Sequence, residues 1–116
     1  MTSRFGPQQR LRNRAAFDAV YANRRSRRVG PLLVFVRRSQ PSVCPRLGLS
    51  LPKRVGNAVT RNRVRRCLRE AFRLQQQEWP TGVDVVVNVR PHQPLAMMEY
   101  AEFLREARLA LLRQPS

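Results

Sequence analysis

Six arginines and one asparagine that could bind anions fall between Arg61 and Arg73. Placed on a helix at about 100° per residue, Asn62, Arg65, Arg66, Arg69 and Arg73 share one face, with Arg61 and Arg63 at its two borders. That face runs along roughly 16 Å of axis at about 1.5 Å per residue. Guanidinium groups stay charged at any accessible pH. They fork onto phosphate oxygens in pairs and stack on bases, but they do not shuttle protons. The chemistry is therefore recognition of a polyanion, not acid–base work. A solvated charged face would mix signs, yet Glu70 is the only acid between Val55 and Gln77. Like charges held this close repel, and an anionic partner relieves the repulsion.

A second set of residues is aromatic. Phe17 and Tyr21 stand one helical turn apart, and Phe35 lies in the middle of an apolar run. Rings beside a positive groove can stack single-stranded bases. The same spacing fits ordinary core packing, and the residues alone favour neither. No acid–base pair or metal-ligand cluster stands out. Cys44 and Cys67 are too few and too scattered for a disulfide framework or a zinc site, and His92 is the lone histidine. Both cysteines are expected to be reduced, with Cys67 filling the core, as in a cytoplasmic protein.

Positioning these side chains requires a small scaffold. Asn57 after Gly56 is an N-cap for the basic helix. Val64, Cys67, Leu68, Ala71 and Phe72 follow at the spacing of an apolar face that anchors it. Upstream, the pattern predicts a short helix from Asn13 to Asn23, with Arg10, Arg12 and Arg14 crowding its start against the macrodipole. Arg24 to Arg28 reads as a basic connector with a brief strand, and Val29 to Arg38 as a well-covered strand. A turn falls at Gln40–Ser42, and Pro45 to Leu51 returns as a strand with Leu47, Leu49 and Leu51 alternating. Trp79 to Gly82 ends the basic helix, Val83 to Val89 is a β-branched strand, and Pro91 to Pro94 is a loop. A last helix is expected from Leu95, with Tyr100, Phe103, Leu104, Ala107 and Leu111 inward and Glu99, Glu102 and Glu106 outward. The expectation is a single α+β domain over residues 1–116, in α-β-β-β-α-β-α order, with helices covering a small, mostly antiparallel sheet. Residues 1–9 are expected to be mobile.

Charge agrees with that division. The formal net charge is +16 in 116 residues, which points to a nucleic acid. Residues 1–73 hold 19 of the 23 basic groups and two of the seven acids, so the binding surface belongs to the first two-thirds. Lys53 is the only lysine. No segment reads as membrane-spanning and no signal-peptide core is visible, so no membrane partner is expected; nor is a small-molecule substrate. A DNA-reading helix is disfavoured for want of a convincing short partner helix. A structured-RNA-binding protein without a processing role remains the alternative.

The string LGLSLPKRVGNAVTRNRVRRCLREAFR, Leu47 to Arg73, resembles the signature of the bacterial ribonuclease P protein subunit. Phe17 and Tyr21 match the family's aromatic pair in the first helix, Phe35 the aromatic of its central sheet, and Val83–Val87 its later strand. The likeness extends from about Leu11 to Arg113. It implies a protein that binds a large catalytic RNA and assists removal of the 5′ leader from precursor tRNA. The RNA, with Mg²⁺ that it mainly holds itself, would perform the phosphodiester hydrolysis, and the protein would supply no catalytic residue. By the same resemblance Lys53, Arg54, Arg61, Asn62, Arg63, Arg65, Arg66, Arg69 and Arg73 would contact the catalytic RNA. Arg14, Phe17, Tyr21 and Phe35 would line the cleft for the leader. A left-handed β-α-β crossover through the basic helix is implied too, against the usual hand. This chain departs from the family pattern in its preference for arginine over lysine and in Pro52 before Lys53.

Overall fold

The computed structural model describes residues 10–11, 13–38 and 44–112. Its elements are α1 (Arg14–Ala22), β1 (Arg25–Val29), β2 (Leu32–Arg38), β3 (Arg46–Ser50), α2 (Ala58–Leu74), β4 (Val83–Val89) and α3 (Met97–Leu111). The order is the expected α-β-β-β-α-β-α. Single 3₁₀ turns at Lys53–Val55 and Gln76–Glu78 flank α2. The Met1–Gln9 segment, Arg12, the Gln40–Ser42 turn and Arg113 lie outside the described residues.

The sheet order is β1-β2-β4-β3. β1 pairs with β2 and β2 with β4 antiparallel, whereas β3 runs parallel to β4 and reaches it through α2. Side chains alternate between the two faces of a strand, and here each face has its own cover. Leu32, Val34 and Val36 of β2 and Val83, Val85, Val87 and Val89 of β4 enter one core with α2 and α3. Val86 faces the other way and packs with Leu11 and Val20, bordered by Phe17, Tyr21 and Phe35. The molecule thus has α1 on one face of the sheet and α2 with α3 on the opposite face.

Local chemistry sets the element ends. Asn13 caps α1 by accepting from the Ala16 N–H at 2.7 Å, and Asn57 caps α2 by accepting from the Thr60 N–H at 2.8 Å. The apolar pattern predicts a strand beginning at Val29, but Val29 closes β1 instead. The turn is Gly30-Pro31, with Val29 paired to Leu32 and Gly30 at φ +55°. Glycine first in a two-residue hairpin loop supplies a positive φ that other residues reach at a cost. The basic connector is therefore a full strand. α3 starts at Met97, two residues later than expected, because Pro94 and Leu95 precede the cap and Glu99 accepts from the Ala96 N–H at 3.1 Å. Cys67 is half-buried against the core and does not fill it.

Candidate nucleic-acid interface

Helix α2 divides as its periodicity requires. Val64, Leu68, Ala71 and Phe72 are buried, and burial of this stripe fixes which way the arginines point. Arg63, Arg66 and Asn62 are exposed, while Arg61, Arg65, Arg69 and Arg73 are half-buried. Several of them are held by local bonds. Arg61 Nε donates to the Gly56 carbonyl at 3.1 Å, and Arg65 donates to Asn62 Oδ1. Arg73 differs from the rest of the ridge: its Nε donates to Glu70 Oε1 at 3.0 Å and a second bond completes the fork. Hydrogen bonding from Arg73 holds the Glu70 carboxyl below the usual carboxylate range, and the same bond raises the Arg73 guanidinium. The pair is thus charged at neutral pH, and the ridge is most strongly positive over its first three turns. Lys53 and Arg54 are exposed on the 3₁₀ turn that leads into α2.

Arg65 and Arg69 line a cleft of about 370 Å³ with Arg10, Leu11, Leu47 and Leu49. Arg10, expected only as one of the arginines crowding the start of α1, is a member of this cleft. It comes into place because Arg10 bridges Leu47 in parallel and the Leu11 N–H donates to the Leu47 carbonyl at 3.0 Å. This short addition also covers the outer edge of β3.

The aromatic residues come together on the opposite face of the sheet. Phe17 and Tyr21 rings lie 6.4 Å apart, and Tyr21 and Phe35 rings 4.9 Å apart, both edge-on. All three are half-buried. They pack on Leu11, Val20 and Val86 and still present ring surface, so the core and stacking readings both describe them. Arg14, Phe17, Asp18 and Tyr21, spaced as one helical stripe, line a cleft of about 620 Å³ together with Asn13 and Ser50. Phe35 stands beside Tyr21 but does not line it. Arg14 pairs with Asp18 at 3.8 Å, a contact between exposed groups that is worth little. The Tyr21 hydroxyl donates to Asn88 Oδ1 at 2.8 Å. Burial pushes its pKa up, which keeps the proton on the donor.

Two further residues shape this cleft. A Cβ on Gly48 would lie 2.7 Å from Phe17 Cζ and 3.1 Å from Leu11 Cβ, so only glycine lets the ring lie on β3. A glycine inside an otherwise alternating leucine strand is the sequence signal for such a close approach. Asn88 interrupts the valine run of β4, and a polar residue there signals a buried partner.

β3 joins the two clefts. Leu47 and Leu49 face the arginines of α2, whereas Gly48 and Ser50 face α1. One strand therefore separates the guanidinium cleft from the aromatic cleft by the thickness of the sheet. Asp84 anchors that strand. Its two oxygens accept from Nε and Nη2 of Arg46, at 2.8 and 2.9 Å, across the β3–β4 seam. Among the described residues no cluster of three His, Cys, Asp or Glu side chains could hold a metal ion, and no helix is long and apolar enough to cross a membrane.

These features define a small, strongly basic α+β protein that offers a polyanion an arginine ridge on one sheet face and half-buried rings on the other. Comparison with known proteins narrows the class. The family model for Ribonuclease P matches residues 5–114. The ribonuclease P protein component of Desulfovibrio desulfuricans is 40% identical over 108 residues, covering 92% of this chain and 82% of the relative. That of Syntrophus aciditrophicus is 30% identical over 107 residues, covering 92% and 87%. Among solved structures, the RNase P protein of Staphylococcus aureus aligns with a TM-score of 0.75 at 26% identity, over 90% of this chain and 95% of that one. The protein from Thermotoga maritima aligns with a TM-score of 0.75 at 27% identity, over 92% and 98%. The chain belongs to the ribonuclease P protein family. It is the protein subunit of an endoribonuclease, with RNA as its partner in the ribonucleoprotein.

Proposed function

We propose that the ridge of α2 docks on the catalytic RNA while the α1 cleft receives the single-stranded 5′ leader of precursor tRNA. The RNA carries the hydrolysis in this reading. In the same reading Mg²⁺ is held mainly by the RNA, and no step is routed through this chain. Arg61, Asn62, Arg63, Arg65, Arg66 and Arg69 are the first-ranked RNA contacts, with Lys53 and Arg54 extending the ridge and Arg73 shared with Glu70. Arg14 offers charge to a leader phosphate, Phe17 and Tyr21 offer ring surface to its bases, and Phe35 supports the Tyr21 ring. The protein works where such an RNA and its substrate are found, the cytoplasm.

The observation that carries this reading is the placement of both clefts on one strand. Alternate residues of β3 floor an arginine site and an aromatic site, so two RNA strands can be held a sheet thickness apart. Positive charge between them lowers the cost of bringing two polyanions together. The direct test is reconstitution with a bacterial catalytic RNA at low Mg²⁺, scored by cleavage of precursor tRNA. The protein is expected to restore cleavage that the RNA alone performs poorly, and RNA binding without stimulation would refute the reading. Phe17→Ala is expected to cost about 1–3 kcal/mol of binding with leader-bearing tRNA and little with mature tRNA. Equal losses with both would remove the leader from the cleft.

A further inference from the structure

Helix α1 divides its face of the sheet into two margins. Phe17 lies over Gly48, Val20 packs with Val86, and Tyr21 meets Phe35. These contacts set the helix over the row Gly48–Val86–Phe35, whose members are opposite one another in register. Residues two positions away along each strand share the same face. On one side of the helix lie Ser50 and Asn88, the latter bonded by Tyr21, and the aromatic cleft opens there. On the other side lies the row Arg46–Asp84–Arg37, which lines neither the aromatic nor the guanidinium cleft. Asn23 Nδ2 donates to the Val36 carbonyl at 2.9 Å, which fixes the end of α1 beside this row. Arg24 follows at φ +60° and precedes Arg25, the partner of Val36, so the chain enters the sheet next to Arg37.

The row is positive, and its one acid is already engaged. Asp84 is buried, and both of its oxygens accept from Arg46. Arg46 remains one-third exposed, and its Nη1 takes no part in that fork. Arg37 stands on the other flank of Asp84 and is half-buried. Among the described residues no carboxylate lies within ion-pair distance of Arg37 or Arg24. Arg38, one step on, is opposite Val83 and faces the α2 and α3 side, so alternation gives only Arg37 to this margin. A guanidinium that loses hydration without gaining a partner is held at a cost, and an anion from outside offsets that cost. Arg46 and Arg37 are two strands apart, about 10 Å at roughly 4.8 Å per strand. Two long side chains on one face can close that span around a single phosphate.

We propose that Arg37, with Nη1 of Arg46 and the flanking Arg24, forms a phosphate site for an RNA backbone, on the margin of the sheet that α1 separates from the aromatic cleft. The contact is to phosphate oxygens alone and reads no base. It depends on RNA being the partner, and not on where the leader lies.

Three variants of the full chain test it: Arg37→Gln, Arg37→Lys and, as a control, Arg105→Gln, which removes an exposed charge from α3 on the far face. Thermal melting of the free protein comes first. Arg37→Gln breaks no internal pair and is expected to melt at or above the temperature of the unaltered chain. A fall of more than about 4 °C would show that the fold itself uses this guanidinium, and would overturn the site. Binding is then titrated across a salt series, once with the catalytic RNA alone and once with precursor tRNA on the assembled holoenzyme. Arg37→Gln is expected to flatten the slope of log K against log[salt] by about 0.7 to 0.9 with at least one of them. Near 0.15 M salt that is a loss of roughly four- to sixfold in affinity, and the RNA that shows it supplies the phosphate. Arg37→Lys keeps the charge and is expected to recover most of the slope, while Arg105→Gln changes neither titration. Unchanged slopes with both RNAs would overturn the site, and so would an equal effect of Arg105→Gln or no recovery with lysine. The unaltered chain in the same series separates failure of this site from failure of RNA recognition as a whole.

Discussion

Removing two charges from the solvent side of α2 gives the most direct measure of how the subunit meets its RNA. In Arg65→Gln/Arg66→Gln the buried stripe of Val64, Leu68, Ala71 and Phe72 is untouched, so the fold should persist. Arg65 loses only its local bond to Asn62. If about six basic groups contact phosphates, log K should fall against log[salt] with a slope of roughly −4 to −5. Each contact contributes about 0.7 to 0.9, so the double variant should flatten the slope by about 1.4 to 1.8. Near 0.15 M salt this is a loss of roughly 15- to 30-fold in affinity, shrinking toward zero as salt approaches 1 M. Filter binding or fluorescence titration of the catalytic RNA across a salt series reads the slope directly, and thermal melting of the free protein checks the fold. An unchanged slope in a folded double variant would mean that this face does not touch the RNA.

Other predictions test the residues around that ridge. Glu70→Gln releases Arg73 from its fork and should steepen the salt slope by up to about 0.9, with tighter RNA binding at low salt; weaker binding would show that Glu70 itself serves the interface. Gly48→Ala places a methyl 2.7 Å from the Phe17 ring, which must swing away at about 1–3 kcal/mol. Leader discrimination should fall as in Phe17→Ala while assembly with the catalytic RNA holds, and loss of both would indicate global damage. Arg46→Ala leaves the Asp84 carboxylate, whose side chain is 3% exposed, without its guanidinium in the β3–β4 seam. Breaking a buried pair costs about 3–5 kcal/mol, and with Arg46 one-third exposed the lower end applies. Urea unfolding should show it, and a change below about 1 kcal/mol would make the pair ornamental.

Much of this architecture could be read from periodicity because burial alternates cleanly along these elements. The 3.6-residue stripe of α2 and the Asn13 and Asn57 caps each left a local pattern. Val29 belongs to β1, although its sequence context points to β2, for a physical reason. The run Val29 to Arg38 is apolar enough to read as continuous, and only the Gly30-Pro31 loop, glycine first, breaks it. β1 itself is concealed by its charge. Four of its first residues are exposed, so it shows no hydrophobic face until Val29 and looks like a connector. The parallel pairing of β3 with β4 leaves no local trace, since both strands would look the same in either direction.

The site was legible in composition but not in its division. A count of arginines cannot separate those left open to a partner from those that the protein uses itself. Arg46 is bound to Asp84, Arg73 to Glu70, and Arg108 to Glu78 at 2.9 Å. The acids of the C-terminal third answer part of this need: Asp84, Glu78 and Glu106 each meet an arginine. What remains for RNA is set by strand parity. At β3 one residue step moves from the guanidinium cleft to the aromatic cleft, and at β1 one step moves from Arg27, beside Glu106, to Arg28, exposed on the other face. A one-residue slip of either strand would exchange these assignments. The hydrophobic cores on the two faces of the sheet therefore do more than stabilise the fold, because by fixing register they decide which arginines the protein pairs with its own acids and which it leaves exposed.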